Sequence, residues 1–381
     1  MALTKRYVSV SGSGTNSGVD ASNEMTWAQM ITDINTPRAG YKYLVKAGTY
    51  ANATTTTNIT GDGSTASPNV IEGYSVTEGD LLDNGRDANG ALVTTGFPAI
   101  SYTGTTARFA SSGANYLVIR CLTITSAASN STITLGTSSV VSQCKITNTG
   151  TNAASTCIDA GQPSNTVEDC DCETASTGAA FAIDLGNDQC LAYGNRIKCV
   201  PGQGIRMSAL RTMAIKNTIY ECTTGIAVTL TTASVTILDN TIVNCTGDGI
   251  DIVTATTAHQ RIKGNHITGS GGYAIDYNTS TSPKDLGHNR FRDNTSGNIN
   301  GGGDWEEGVS VSNVSSDDTD ALDFTDQGND NYSLLTTAAA IIAGVGYRNP
   351  IGASGAGSFG SGGGGSALLL GGLGQTGIGS F

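Results

Sequence analysis

One short pattern returns along this 381-residue chain at a nearly fixed interval. An apolar strand leads into Asn or Cys, then any residue, then an apolar one. It reads RCLTI at Cys121, QCKI at Cys144, DCDC at Cys170 and GNRI at Asn195. It continues as KNTI at Asn217, DNTI at Asn240, GNHI at Asn265 and HNRF at Asn289. The intervals are 23, 26, 25, 22, 23, 25 and 24 residues. A second column, Ile158, Ile183, Ile205, Ile226, Ile250 and Ile275, keeps step at intervals of 21 to 25. Two columns in step mark stacked supersecondary units, each unable to bury its apolar face alone.

The period narrows the fold. Leucine-rich repeats have this length but need a Leu-rich consensus, which is missing here. No helical segment separates the strands, which excludes a βαβ sheet. What remains is an all-β fold, a single-stranded right-handed parallel β-helix with coils of 21 to 26 residues. Coils stack at roughly 4.8 Å, so the eight marked ones span about 34 Å.

Strand parity assigns the repeated letters. Alternate strand residues face one side, and Asn217 shares parity with Ile219, as Asn240 does with Ile242. The Asn column therefore faces inward near a bend, where buried amides need partners. Asn195, Asn217, Asn240, Asn265 and Asn289 are expected to bond to one another and to bend backbone, coil upon coil. Cys121, Cys144 and Cys170 are expected in the same column as small buried groups, and Cys199, Cys222 and Cys245 in another. A ladder of reactive thiols is the sharper alternative, opposed by the inertness of buried thiols.

Composition agrees. With 51 Gly, 7 Pro and 14% charged residues, the chain is no helical bundle. Recurring β-branched runs exclude disorder. The net charge of −12 argues against nucleic acid and anionic membrane surfaces. Nine Cys without a CxxC pair follow the repeat, which points away from a disulfide framework or zinc site and toward a reducing cytoplasm. MALTKRYVSV has no apolar stretch of signal-peptide type, and ALLL at Ala367–Leu370 is too short to span a bilayer.

The ends change character. In residues 25–50, Trp27, Met30, Ile31 and Ile34 recur at helical spacing, with Asn23 as a candidate N-cap. This predicts a short amphipathic helix covering the open first coil, followed by a strand at Tyr43–Val45. Tyr7–Gly18 reads as a strand and polar loop. Ser67–Tyr74 and Phe97–Tyr102 read as early, irregular coils. The predicted organisation is residues 1–50 as strand, loop and capping helix, 51–303 as β-helix, 304–347 as its C-terminal cap, and 348–381 as a Gly-rich apolar tail.

The stretch Trp27–Tyr50, ending VKAGTY, and the following ASPNVIEGY resemble the N-terminal cap of right-handed β-helix proteins of the polysaccharide-lyase-like and phage-tailspike-like superfamily. Residues 320–346 resemble the closing segment of the same group, departing from it at Thr337, Ala338, Ala339, Ile341 and Ile342. The resemblance covers about residues 6 to 346. It implies the fold, and spans enzymes, tailspikes and plain surface proteins.

Candidate sites lie on outward columns. The residue after each column Ile gives Asp159, Asp184, Arg206, Ala227, Asp251 and Asp276. Adjacent coils would bring Asp159 to Asp184, and Asp251 to Asp276, within roughly 5 Å, near the carboxyl separation of a retaining glycosidase. The plainer reading is solvated surface carboxylates, with Asp184 and Arg206 as a surface pair. A basic column beside the Asn ladder holds Arg196, His266 and Arg290, joined by Lys198, His288 and Arg292; it could hold an acidic sugar or supply a lyase base. Asp304, Glu306 and Glu307, and then Asp317, Asp318, Asp320 and Asp323, are oxygen-rich candidates for calcium, without EF-hand spacing. Leu368, Leu369, Leu370, Leu373, Ile378 and Phe381 are candidate anchors by which the tail docks on another subunit. No cofactor is implied.

Three functions compete. The leading expectation is a non-enzymatic structural protein of a phage virion, a capsid decoration, fibre or spike, assembled in host cytoplasm and displayed on the particle. Its partners would be other virion proteins held through the tail, with a homotrimer and a host glycan as further expectations, and no nucleic acid or membrane insertion. The second is a glycan-degrading tailspike or lyase. The third is a bacterial cell-surface β-helix protein.

Overall fold

The computed structural model describes residues 2–301, except 37–38, 52–55, 83, 88, 107, 151, 153–154, 175–180, 231–233, 253–258, 278–283 and 288. Beyond 301 it describes the strands Val314–Ser315, Phe324–Asp326 and Asn331–Leu334. Three parallel sheets wrap one core, and the chain visits them in rotation. Sheet A has 11 strands, from Thr4–Val8 to Lys284–Gly287. Sheet B has 11, from Thr49–Ala51 to Val314–Ser315, and sheet C has 10, from Thr57–Asn58 to Gly297–Asn300. The chain is a right-handed parallel β-helix, the hand favoured by parallel crossovers. Because sheet A begins at Thr4–Val8, the ladder runs across residue 51 without a break. Among the described residues no helix is long and apolar enough to cross a membrane.

Register explains the Ile column. Ile158, Ile183, Ile205, Ile226, Ile250 and Ile275 pair in succession along sheet C and are fully buried. Sheet B supplies a second apolar stack, Ile124, Ile146, Cys172, Ile197, Ile219, Ile242 and Ile267. Burial of each Ile side chain contributes about 1.5–3 kcal/mol by removing apolar surface from water.

The Asn ladder stands at the corner between sheets A and B. Asn217 donates its backbone and side-chain N–H to Asn240 Oδ1, both at 2.9 Å. Asn240 does the same to Asn265, and Asn265 to Asn289, at 2.9–3.0 Å. Each amide also donates to a backbone carbonyl of an earlier strand: Asn217 to Ala192, Asn240 to Ala214, Asn289 to Ile262. The residue before the rungs Asn195, Asn217, Asn240 and Asn265 is left-handed, at Gly194, Lys216, Asp239 and Gly264, which makes the bend. Cys170 joins the ladder by donating its N–H to Asn195 Oδ1.

Cys121 does not belong to this column. Thr123 pairs with Lys145, which sets Leu122 level with Cys144 and Cys121 level with Gln143. Cys121 takes the left-handed bend position, φ 56°, and packs against Leu81, Leu92 and Phe97 outside the main core. All nine thiols are buried and free, and burial pushes those of Cys121, Cys190 and Cys222 up, the inert condition.

The helix Trp27–Ile34 covers the first coil, with Trp27, Met30 and Ile34 buried. Its N-cap is Thr26, not Asn23. Thr26 and Gln29 form a capping box, and Met25 is still held extended against Val8. Asn23 instead accepts from Thr15 in the preceding loop. Trp27 packs on Tyr50 and Phe109, ring centroids 5.6 and 6.3 Å apart. Residues 75–98 leave the corner as an arm that climbs several coils. Asp80 accepts three backbone N–H groups at its base. At its far end Arg86 pairs with Asp171 and donates to Gly194 O, while Leu92 N–H donates to Asp171 at 2.7 Å.

Candidate functional site

The outer column of sheet C is built by register. Thr134, Asp159, Asp184, Arg206, Ala227, Asp251, Asp276 and Asn300 pair in sequence, each beside an inward Ile or Leu. Strand alternation thus sets a row of polar groups at coil spacing.

The lower part is self-neutralised. Arg206 makes a two-pronged ion pair with Asp184 and lies 4.1 Å from the Phe181 ring centroid. Burial, then the Asp184 charge, pushes the Asp159 carboxyl up. Pairing locks the Asp184 and Arg206 charges together.

The upper part is different. Asp248, Asp251 and Asp276 each offer a carboxylate oxygen, all within 4.8 Å of one another, and all three are half-buried. Asp248 stands in the turn before the strand Ile250–Ile252 and accepts the Tyr273 N–H at 2.6 Å. Asp276 accepts from Asn300 Nδ2 at 3.0 Å. Burial, then the Asp248 and Asp276 charges, pushes the Asp251 carboxyl up to about 6. Burial also raises Asp248. Close carboxylates cannot all ionise cheaply, so the cluster keeps a proton at Asp251 up to about pH 6. The same three oxygens are close enough for one calcium ion, whose oxygen ligands stand at about 2.3–2.6 Å. A bound cation would draw the proton off.

The sequence columns thus bring Asp251 and Asp276 together, and Asp159 and Asp184. They miss Asp248. Its only signal is position: it lies three residues before Asp251, in the Gly-rich turn GDGID, where the bend turns a carboxylate back over the sheet.

The basic column is divided. Arg196 and Lys198 line a shallow groove with Lys145, Glu173, Tyr220 and the arm's Ala91. Arg196 lies 4.7 Å from the Tyr220 ring centroid, and Lys198 is ion-paired with Glu221 at 2.9 Å. His266 and Arg290 are enclosed, 0% and 1% exposed, so the expectation that they present an open surface to a sugar is corrected. Burial first, then Arg290 and Arg292, lowers His266 to about 3, which keeps it neutral. Arg292 is half-buried and paired with Asp293 at 3.1 Å. His288, Asp304, Glu306, Glu307, Asp317, Asp318, Asp320 and the anchors Leu368, Leu369, Leu370, Leu373, Ile378 and Phe381 lie outside the described residues, as does Asp323.

Comparison with known proteins agrees with the fold. The family description "Right handed beta helix region" matches residues 131–296. No curated protein sequence matches this one. Among solved structures, pectate lyase Pel9A superposes at a TM-score of 0.61 with 13% identity, over 89% of this chain and 88% of that one. A rhamnogalacturonan lyase gives 0.62 with 11% identity, over 90% and 99%. The GH136 lacto-N-biosidase from Eubacterium ramulus gives 0.51 with 13% identity, over 81% and 68%. The chain is similar to these proteins in fold, and at such identities in fold alone.

Proposed function

We propose that this β-helix protein cleaves a glycan, using the Asp248, Asp251 and Asp276 cluster on the outer face of sheet C. The observation that carries the reading is the Asp251 carboxyl, raised to about 6 between two other carboxylates. A group of that kind holds its proton up to about pH 6, well above an ordinary carboxyl, and can release it. Asp251 donates its proton to the glycosidic oxygen as the bond to the anomeric carbon breaks. Asp248 or Asp276 forms a bond to the anomeric carbon as the glycosidic bond breaks, as the short separation of the carboxylates suits. Water then attacks that carbon, gives a proton back to the Asp251 carboxylate and breaks the bond to the partner carboxylate, which restores both groups. The column neighbours of the cluster, Ala227 and Asn300, are uncharged. That favours hydrolysis over elimination from a uronate, whose charge a cationic neighbour would help to neutralise. The lyases and biosidase that share the fold support a glycan as the substrate class.

The test is incubation of the full chain with a panel of neutral and acidic polysaccharides. Hydrolysis yields new reducing ends without unsaturated sugars. Unsaturated products would replace the acid–base reading with elimination, and silence across the panel would overturn the enzymatic one. The non-enzymatic virion component, anchored through residues 348–381, rests on the sequence alone and expects that silence, together with the chain's presence in purified particles.

A further inference from the structure

The outer face of sheet A turns apolar over three coils. Leu191 and Tyr193, then Met213 and Ile215, then Thr236 and Leu238 stand in register, and all six are half-exposed. They point outward, because they alternate with Ala192, Ala214 and Ile237, which are 0% exposed in the core. In two of these coils the large apolar side chains are therefore outside and an alanine is inside. A core does not call for that inversion, and it sets five large apolar side chains together at the surface. The outer column of sheet C at the same height is polar apart from Ala227, with Asp184, Arg206 and Asp251.

The rows that flank the patch carry opposite charges. In the Ile215 column, Glu168 stands two coils below and Lys263 two coils above. In the Met213 column, the same two rows hold Thr166 and Arg261. Glu168 is half-buried. Among the described residues it has no ion pair, since Arg120 of the same column is paired with Glu72. Burial, then the Asp169 charge, pushes its carboxyl up. Lys263 is paired with Asp285 of the next coil at 2.6 Å and remains half-exposed.

Such a face complements itself in one orientation. Two copies related by a two-fold axis along the strand Thr212–Ile215 lie face to face and antiparallel. Each column then meets its own copy in reverse order. Ile215 meets Ile215, Tyr193 meets Leu238, and Glu168 meets Lys263. A parallel pair about an axis along the solenoid sets Glu168 beside Glu168 and Lys263 beside Lys263, which is repulsive.

We infer that the outer face of sheet A docks a second copy of this chain, antiparallel and centred on Ile215, with Glu168 of each copy facing Lys263 of the other. Removal of the apolar patch from water drives the association, and the charged rows fix its direction. The sheet C cluster lies on another face and stays open in the pair, so the inference stands apart from the glycan reading.

The native full chain provides the test. Within one chain Glu168 and Lys263 are four coils, about 19 Å, apart, beyond the reach of two side chains. A carbodiimide couples a carboxylate to an amine as an amide and takes up the water released, so it joins these two only between copies. At about 100 μM, where a patch of this modest size should associate, sedimentation is expected to show twice the chain mass. Peptide mapping is then expected to show the Glu168–Lys263 link. The intrachain link of Lys263 to Asp285 is the control for reactivity. Ile215→Glu sets two carboxylates opposite each other at the axis, and should weaken association at least about tenfold and remove the link. Should that variant lose its native circular dichroism, Glu168→Lys and Lys263→Glu decide. Each alone is expected to lose self-association, and their equimolar mixture to regain it, because each supplies the charge the other lacks. A native chain that stays monomeric at that concentration overturns the inference. So does a dimer without the Glu168–Lys263 link while the control link forms, a dimer that persists in Ile215→Glu, or a mixture that fails to associate. A dimer lost on removal of residues 348–381 alone would put the tail at the contact and would equally overturn it.

Discussion

At the scale of single residues, the repeated Asn is a structural tie, and its outward counterpart on sheet C carries the chemistry. Asn240 takes part in six hydrogen bonds, three as acceptor from Asn217 and His266 and three as donor to Asn265 and Ala214. Asn240→Ala removes the four that use its side-chain oxygen or amide, and leaves the Asn217 N–H buried without its partner. A loss of about 3–5 kcal/mol is expected in chemical denaturation, at roughly 1 kcal/mol or more per bond. Asp251 behaves oppositely. Its carboxyl is raised from an ordinary value near 4 to about 6 in the folded chain. The folded state thus holds the proton more tightly than the unfolded one. The associated stability is present below about pH 4 and is lost as pH rises through about 6. Asp251→Asn should therefore stabilise the protein at about pH 7–8 by roughly 1 kcal/mol after allowance for solvent screening, with no gain at about pH 4. Melting at both pH values checks the sign. A carboxyl with an ordinary value in the folded chain would show no difference between them.

At the scale of elements, legibility in the sequence follows locality. The Ile column and the Asn rungs are legible because stacking repeats one environment every coil. Cys121 shows the limit: its 23-residue interval to Cys144 matches the period, yet the true register offset is 22, and a left-handed bend position takes the Cys. Coil lengths vary at the corners, so spacing alone fixes a position to within one residue, and one residue reverses the facing. The arm 75–98 is not legible either. It is held by Arg86 to Asp171, 85 residues away in sequence. Arg86→Ala should strand the partly buried Asp171 carboxylate and free the arm, which hydrogen exchange over residues 84–97 would report as faster exchange with protection in the coils unchanged. Thr26→Ala, which removes one half of the capping box, should cost about 1 kcal/mol in thermal or chemical denaturation. The burial of His266 and Arg290 is not legible either, because their parity is outward.

At the scale of the whole molecule, the solenoid is about 48 Å long, ten intervals of about 4.8 Å along sheet A. Its interior is uniform, with Ile stacks on the flats and amides at a corner. The three outer faces are not equivalent. Sheet A is open in its upper coils but buried at Leu44, Val70, Glu72 and Val140 lower down, sheet B bears the arm below and buried outward residues such as His266 and Arg290 above, and sheet C presents the carboxylate row. Such a division lets one fold carry unrelated activities, because the coils hold register while the outward residues vary freely. The most direct test is the pH dependence of glycan cleavage on a substrate the native chain cuts. Activity should fall as pH rises through about 6, with the loss of the Asp251 proton, and Asp251→Asn should abolish it while the protein stays folded. Cleavage that is flat across that range, or that survives in Asp251→Asn, would contradict a catalytic role for the sheet C cluster.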